Sequence, residues 1–182
     1  MRFRKSSSIA TAWGIAEATF FFIVPDVLLS WYSIQSYKKG MFGCVFAVLG
    51  ALLGGALVWW WGQGDVGAAR DFLNQIPAIN DALIAKVQSQ IEESGLFALF
   101  IGPFQGTPYK IYVLEAASMG YGLAILMLVS IPARLVRFLV VALFVGFIGQ
   151  LLRKRYTLRT IRIAHLSCWA VFYAWYFWVM GS

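Results

Sequence analysis

Acidic and basic residues lie within stretches of the chain that are otherwise apolar. The residues are Glu17, Asp26, Lys110, Glu115, Arg134 and Arg137. A charged side chain at the centre of a bilayer costs about 2.5 to 3.5 kcal/mol on insertion scales, so six unpaired charges would cost about 15 to 20 kcal/mol. This exceeds the stability of a typical fold. We therefore expect these three acids and three bases to pair or to contact water, and they are the candidate residues for substrate binding or proton coupling.

Two of the bases are spaced to act together. Arg134 and Arg137 are three residues apart and share one face of a helix, and Pro132 frees a backbone carbonyl just before them. Guanidinium groups bind phosphate oxygens through two parallel hydrogen bonds. Two interpretations stay open: the arginines tether other segments through Glu17 and Asp26, or they bind a lipid phosphate or take part in proton coupling.

The other candidate positions lie near prolines. Glu17 is followed by apolar residues, an environment that favours proton exchange, whereas Asp26 follows Pro25 and could simply cap a helix. Thr107 and Pro108 fit the N-cap and the first position of a second helix. The N-terminus of that helix would favour an anion.

The composition is that of an integral membrane protein. Of the 182 residues, 60% are hydrophobic and 13% are charged, against about 25% charged in soluble domains. The net charge of +7 comes from basic residues that flank apolar runs, which is the pattern of cytoplasmic loops. We therefore expect a multi-pass protein of the cytoplasmic (inner) cell membrane with a cytoplasmic N-terminus, and no nucleic-acid partner.

Charge and hydropathy divide the chain into consecutive segments. These are a basic N-terminal segment (1–12), a first repeat (13–62), an amphipathic external segment (63–95), a second repeat (96–152), a basic cytoplasmic loop (153–162) and a C-terminal span (163–182). Within the repeats, 40–62 and 121–152 are long and apolar enough to cross a bilayer.

The first part of each repeat resists assignment as a span. If 13–37 crossed the membrane, the basic residues at its two ends would lie on opposite sides. Both 13–37 and 96–120 carry a proline near the middle, so each is predicted to form a re-entrant hairpin. The tip of the first hairpin is at Pro25, and the tip of the second is at Thr107 and Pro108.

The two hairpins would enter from opposite sides of the membrane, because a span separates them. The sequence therefore predicts an all-α integral membrane protein, with two re-entrant helical hairpins and spanning helices in an inverted repeat, plus a C-terminal span. Transporters built in this way bind substrate between broken helices at the midplane.

Motifs of soluble enzymes and of metal sites are missing from the sequence. Cys44 and Cys168 match no metal-ligand spacing, and His165 is the single histidine. A G-x-G-x-x-G match at 62–67 follows a membrane run rather than a strand. We expect no enzymatic activity, no metal and no cofactor.

The candidate residues stand in short motifs with a recognisable order. These are Glu17-Ala-Thr with Pro25-Asp26, Pro108-Tyr-Lys110 with Glu115-Ala-Ala, and Arg134-x-x-Arg137-Phe. Across residues 10–152 the chain resembles the DedA or SNARE-associated (VTT-domain) superfamily, especially its YqaA-like branch. The resemblance implies two re-entrant hairpins in inverted repeat and a role in membrane lipid homeostasis. By that pattern Glu17 and Asp26 match the acidic pair of the first hairpin, and Lys110 matches the basic residue after the second proline. The chain lacks the G-R-x-x-P-x-x-R signature of DedA proper.

The expected function is transport of a phosphate-bearing lipid by a flippase or scramblase. Its partners are then membrane lipids, and a polyprenyl phosphate is one candidate. Protons are a candidate coupling ion. The sequence is also compatible with a homo-oligomer. Two other functions stay open: a scaffold that moves nothing, and a small-ion transporter.

Overall fold

The computed structural model describes the backbone of residues 2–180 and the side chains of residues 5–179, and within them it contains helices and no strand. The helices are α1 Arg2–Thr19, α2 Asp26–Gln35, α3 Tyr37–Gly64, α4 Val66–Asn74, α5 Asp81–Ser94, α6 Ala98–Ile101, α7 Tyr109–Ser118, α8 Leu123–Leu152 and α9 Leu158–Met180. Short 3-10 turns, Gly95–Phe97 and Gly102–Gln105, flank α6. The all-α prediction is confirmed.

Two helices within residues 2–180, α3 and α8, are long and apolar enough to cross a membrane. They have 28 and 30 residues, or about 42 and 45 Å at 1.5 Å per residue. Leu49, Leu53 and Leu57 of α3 are exposed at a spacing of four residues, so one apolar stripe faces outward. Helix α3 contains the predicted span 40–62, and α8 begins two residues later than the predicted span 121–152 and ends with it.

The N-terminal and C-terminal boundaries differ from the sequence prediction. The basic segment 1–12 and the first arm of segment 13–37 form one helix, α1, because no helix-breaking residue separates them from Arg2 onward. The segment predicted as a C-terminal span forms α9, which begins five residues earlier, at Leu158, and which is not one of the two helices long and apolar enough to cross a membrane. Residues 181–182 of that span lie outside the described part of the chain.

Helices α1 and α3 lie side by side at backbone contact distance. A Cβ atom added to Gly50 would lie 2.1 Å from the carbonyl oxygen of Thr11, and one added to Gly54 would lie 2.7 Å from that of Ile15. Gly14 on α1 approaches the carbonyl oxygen of Ala47 in the same way. The Gly50-x-x-x-Gly54 motif therefore lets the two helices pack closely.

Contacts along α3 fix the directions of its neighbours. Gly50 faces Thr11 and Gly54 faces Ile15, so α1 runs parallel to α3. Gly55 faces Tyr109 and Gly62 faces Leu114, so α7 is also parallel to α3. In contrast, α2 runs in the opposite direction, because Gly40 faces Ser33 while Gly43 faces Leu29.

Two helix breaks interrupt the bundle. The first break, residues 20–25, separates α1 from α2. The second break, residues 102–108, contains a 3-10 turn and Gly106, whose φ of 79° is left-handed. The arm before it consists of short 3-10 and α turns, because Gly102 and Pro103 interrupt a longer helix.

The predicted helix caps are wrong by one residue. Pro25 is the N-cap of α2, and Asp26 is its first helical residue rather than a cap. Pro108 is the N-cap of α7, because its extended ψ of 137° delays the start of the helix to Tyr109, and Thr107 lies before the cap.

The amphipathic segment folds onto the bundle as α4 and α5. The side chains of Asp65 and Asn80 cap these helices by accepting hydrogen bonds from Ala68 N and Leu83 N, each at 2.9 Å. Their apolar faces are buried with α7 in one hydrophobic core. This core holds the segment against the half of the bundle that contains the second break.

We predict that Gly50→Ala lowers the melting temperature of the detergent-purified protein by several degrees. The new Cβ would collide with backbone that cannot rotate away, at a cost of about 1 to 3 kcal/mol. Gly64→Ala, on the same helix, is the control, because nothing lies within 4 Å of its added Cβ. Equal melting temperatures for the two variants would contradict the packing of α1 on α3.

Candidate functional site

The two helix breaks are joined by one side chain. Lys110, the second residue of α7, donates a hydrogen bond from Nζ to the carbonyl oxygen of Phe21, at 2.8 Å. Phe21 lies in the first break, and its own N–H donates to the carbonyl oxygen of Ala16 at the end of α1, at 2.7 Å. Lys110 is only 1% exposed, so its ammonium group is held at the junction of the two breaks.

The two arginines of α8 each bind a different one of the two helices that flank the first break. Arg134 forms a buried ion pair with Glu17 of α1. Arg137 binds Asp26 of α2, with 2.6 Å between Nη2 and Oδ2. The spacing of three residues therefore allows one face of α8 to contact both arms. The contacts of the predicted tether are present.

Arg134 is fixed by aromatic rings as well as by Glu17. Its guanidinium carbon lies 4.4 Å from the ring centroid of Tyr109 and 4.9 Å from that of Phe138. The Tyr109 hydroxyl donates to Ser130 Oγ at 2.9 Å. Nε and Nη1 of Arg134 are buried, and neither has a hydrogen-bond partner among the described residues. Arg134 is thus a buried cation held mainly by one carboxylate and two rings.

A cavity of about 420 Å³ lies between the two breaks, α8 and α9. Three charged residues, Glu17, Lys110 and Arg137, line it. Thr107 and Pro108 also line it, so the N-terminus of α7 faces the same space. Cationic side chains and a helix N-terminus around one cavity favour a negatively charged ligand.

Aromatic residues of α9 form another wall of the cavity. They are Trp169, Phe172, Tyr173, Trp175 and Tyr176. The backbone N–H of Val24, in the first break, donates to the Tyr173 hydroxyl at 2.8 Å. His165 Nε2 also lies 2.8 Å from Ser30 Oγ of α2. These contacts attach α9 to the segment that it covers.

The structure corrects the expected surroundings of Glu115. This carboxylate does not line the cavity or pair with the three interior bases. It binds Arg70 of α4 through two hydrogen bonds, at 2.9 Å from Nε and 2.6 Å from Nη2. Gln88 of α5 donates a third, at 2.9 Å. The hydrogen bonds to Glu115 raise the pKa of the Arg70 guanidinium, and Glu115 joins both external helices to α7.

This correction changes the balance of charge at the breaks. Each of the three buried carboxylates binds an arginine, whereas Lys110 has no carboxylate within ion-pair distance in the described part of the chain. Sequence reasoning missed Arg70, although it is one of two cations in a segment rich in acids. It also missed the α9 wall, whose aromatic residues resemble those of a membrane interface.

No group of three His, Cys, Asp or Glu side chains in residues 5–179 is arranged to hold a metal ion. Cys44 is buried and Cys168 is exposed, and neither forms a disulfide. At the cavity, Glu17, Lys110 and Arg137 can bind a ligand through charge and hydrogen bonds.

We predict that Arg70→Gln lowers the stability of the folded protein by about 3 kcal/mol, because Glu115 is then buried without its cation. The double variant Arg70→Gln/Glu115→Gln should recover part of this loss, measured as melting temperature in detergent. Lys86→Gln is the control for loss of a positive charge in the same segment. A double variant less stable than Arg70→Gln would contradict this role of the pair.

Comparisons with known proteins give one relative and no family. No protein-family model matches the chain, and no solved structure matches it. A protein of Haemophilus influenzae described as uncharacterised is 29% identical over 136 residues, which cover 74% of this chain and 69% of the relative. Its description states no activity. The resemblance to the DedA superfamily therefore stays a prediction.

Proposed function

We propose that the protein is a membrane transporter, a flippase or scramblase, that moves a phosphate-bearing lipid through the cavity between the two helix breaks. The observation that carries the proposal is Lys110: a buried ammonium group that lines the cavity and binds only a backbone carbonyl in the described part of the chain. A compact cation in this position suits a phosphate. Membrane lipids are its partners, and protons are a candidate coupling ion through Glu17.

The proposed topology is a pair of re-entrant hairpins in an inverted repeat. It is supported by the opposite directions of α1 and α2, and by the meeting of the two breaks at Lys110 and Phe21. Irregular backbone at membrane depth needs burial in protein or contact with water. At these breaks Lys110 satisfies the Phe21 carbonyl, and the cavity lies beside the irregular backbone.

The distribution of charge supports a membrane location. Glu17, Asp26 and Arg134 are buried, while large apolar side chains on α3 and α8 are exposed. A soluble protein places charges outside and apolar side chains inside. We assign the chain to the cytoplasmic cell membrane, with residues 1–12, 38–39 and 153–162 on the cytoplasmic side and 63–95 outside.

A scaffold is the second candidate function, because the ion pairs favour it. Arg134–Glu17 and Arg137–Asp26 lock α8 to α1 and α2, and such contacts need no ligand. The scaffold does not explain why Lys110 lines a cavity without an acidic partner. The two functions therefore make different predictions for Lys110.

We predict that single cysteines at the two proposed faces react differently with a membrane-impermeant thiol reagent. In a background of Cys44→Ala and Cys168→Ser, Val66→Cys should react in intact cells, and Thr157→Cys should react only after permeabilisation. The basic residues near Thr157 favour the cytoplasmic side. Equal reaction of both cysteines from outside would refute the topology.

We predict that the Lys110→Gln variant folds but translocates lipid at least ten times more slowly than the wild-type protein. The measurement is flip of fluorescent phospholipids in vesicles that contain the purified protein, with melting temperature as the measure of folding. Lys110→Arg keeps the charge and should retain more activity than Lys110→Gln. A wild-type protein that moves no lipid would reject transport of these lipids, and translocation that is unchanged in Lys110→Gln would reject this site.

The ion pairs provide the matching structural test. Arg134→Gln should reduce the folded yield, because Glu17 is left buried without its partner. Adding Glu17→Gln should restore yield. Recovery of both yield and translocation in the double variant favours a tether alone, whereas recovery of yield without translocation adds Glu17 or Arg134 to the transport residues. Ion currents in vesicles whose lipids do not move would indicate a small-ion transporter instead.

A further inference from the structure

We propose that the cavity opens sideways toward the bilayer through an aromatic portal formed by Phe22, Phe104, Phe172 and Trp175. Its ligand is then an amphiphile whose anionic group reaches Lys110 while its apolar chain passes through the portal. This inference rests on the proposed function and narrows the class of ligand. A free phosphate ion from water has no apolar part that would contact an aromatic opening.

The portal residues line the cavity and are also exposed at the surface. Phe22 is 38% exposed, Phe104 67%, Phe172 43% and Trp175 56%. In contrast, the charged lining residue Lys110 is only 1% exposed. The exposed part of the cavity lining is thus rich in aromatic residues, with Gln105 and Gly106 also exposed, and its interior is charged.

The portal is assembled from three separate parts of the chain. Phe22 lies in the first break, Phe104 in the 3-10 turn of the second break, and Phe172 and Trp175 on α9. Phe22 contacts Phe177 of α9, with ring centroids 5.2 Å apart. Both breaks and α9 thus contribute aromatic surface to one opening.

The connection between α4 and α5 forms another part of the cavity lining, where Pro77 is exposed. Ile76 and Ile79 line the cavity there and are 7% and 6% exposed. They belong to the same hydrophobic core as α7. Widening the opening at Pro77 would require this core to separate, whereas the aromatic residues of the portal are already exposed.

The size and charge of the cavity specify the ligand. A volume of about 420 Å³ holds a small head group but not a whole membrane lipid, so the apolar chain of the lipid must extend out of the cavity. Glu17 and Arg137 are each engaged in an ion pair, whereas Lys110 forms none with the residues that the structure describes. One uncompensated cation favours a head group with one negative charge, such as a phosphodiester or a singly ionised alkyl phosphate.

The portal is tested by binding of inorganic phosphate and of butyl, hexyl, octyl and decyl phosphate to the full chain in detergent. The corresponding alcohols measure uptake by the micelles, and titration calorimetry gives the dissociation constants. Each methylene buried in the protein should tighten binding by about fourfold. Inorganic phosphate should bind more weakly than octyl phosphate by at least a hundredfold.

Variants separate the portal from the phosphate site. Trp175→Ala should weaken the binding of octyl phosphate by at least tenfold and leave the binding of inorganic phosphate unchanged. Lys110→Gln should weaken the binding of both. Trp178→Ala is the matched control, because Trp178 is on the same helix, is 77% exposed and does not line the cavity. Phe104→Ala is a second portal variant, and melting temperature confirms that each variant folds.

Three results would overturn the portal. Inorganic phosphate binding as tightly as octyl phosphate would indicate a site for free anions, with the function of Lys110 intact. Equal effects of Trp175→Ala and Trp178→Ala on octyl phosphate binding would show that the alkyl chain of the ligand lies outside the portal. Chain-length dependence that is unchanged by Lys110→Gln would show that the amphiphile binds away from the cavity, which would also count against the proposed transport site.

Discussion

The pairing of buried carboxylates with arginines is the interaction on which the remaining structure depends. Breaking a buried pair by removing one partner costs about 3 to 5 kcal/mol, and this protein has Glu17, Asp26 and Glu115 in such pairs. Each pair joins segments that are distant in sequence: α8 to α1, α8 to α2, and α4 to α7. The pairs therefore determine which helices are neighbours, while the glycines of α3 determine how closely one of those neighbours packs.

Pairing at these three points also isolates Lys110. A buried ammonium group without a carboxylate partner would be expensive, and the structure lowers this cost with the Phe21 carbonyl and a cavity that can hold a ligand or water. The same carbonyl would lack a helical partner where α1 ends. The breaks and the lysine thus compensate each other, which explains why irregular backbone and an unusual charge occur together.

Sequence patterns predicted the elements better than their partners. The uncharged run inside α3, the glycine motif at Gly50 and Gly54, and the apolar face of the external segment follow from periodicity alone, because they depend on residues close in sequence. The spacing of Arg134 and Arg137 indicated a shared face. Arg70 could not be assigned to Glu115, because that contact depends on how α4 folds over α7. The position of α9 was hidden for the same reason, since its aromatic residues suit a bilayer interface and a cavity wall equally well.

The hydrogen bond between Val24 and Tyr173 links the motion of two parts of the molecule. Val24 N–H lies in the first break, and its acceptor is on α9. If α9 moves away, this amide loses its acceptor, and an unsatisfied buried group costs about 1 to 3 kcal/mol unless water or other backbone replaces it. Displacement of α9 is thus coupled to a change in the first break, which must rewind or become hydrated. The last helix therefore does more than cover the cavity, because it also satisfies backbone of the first break.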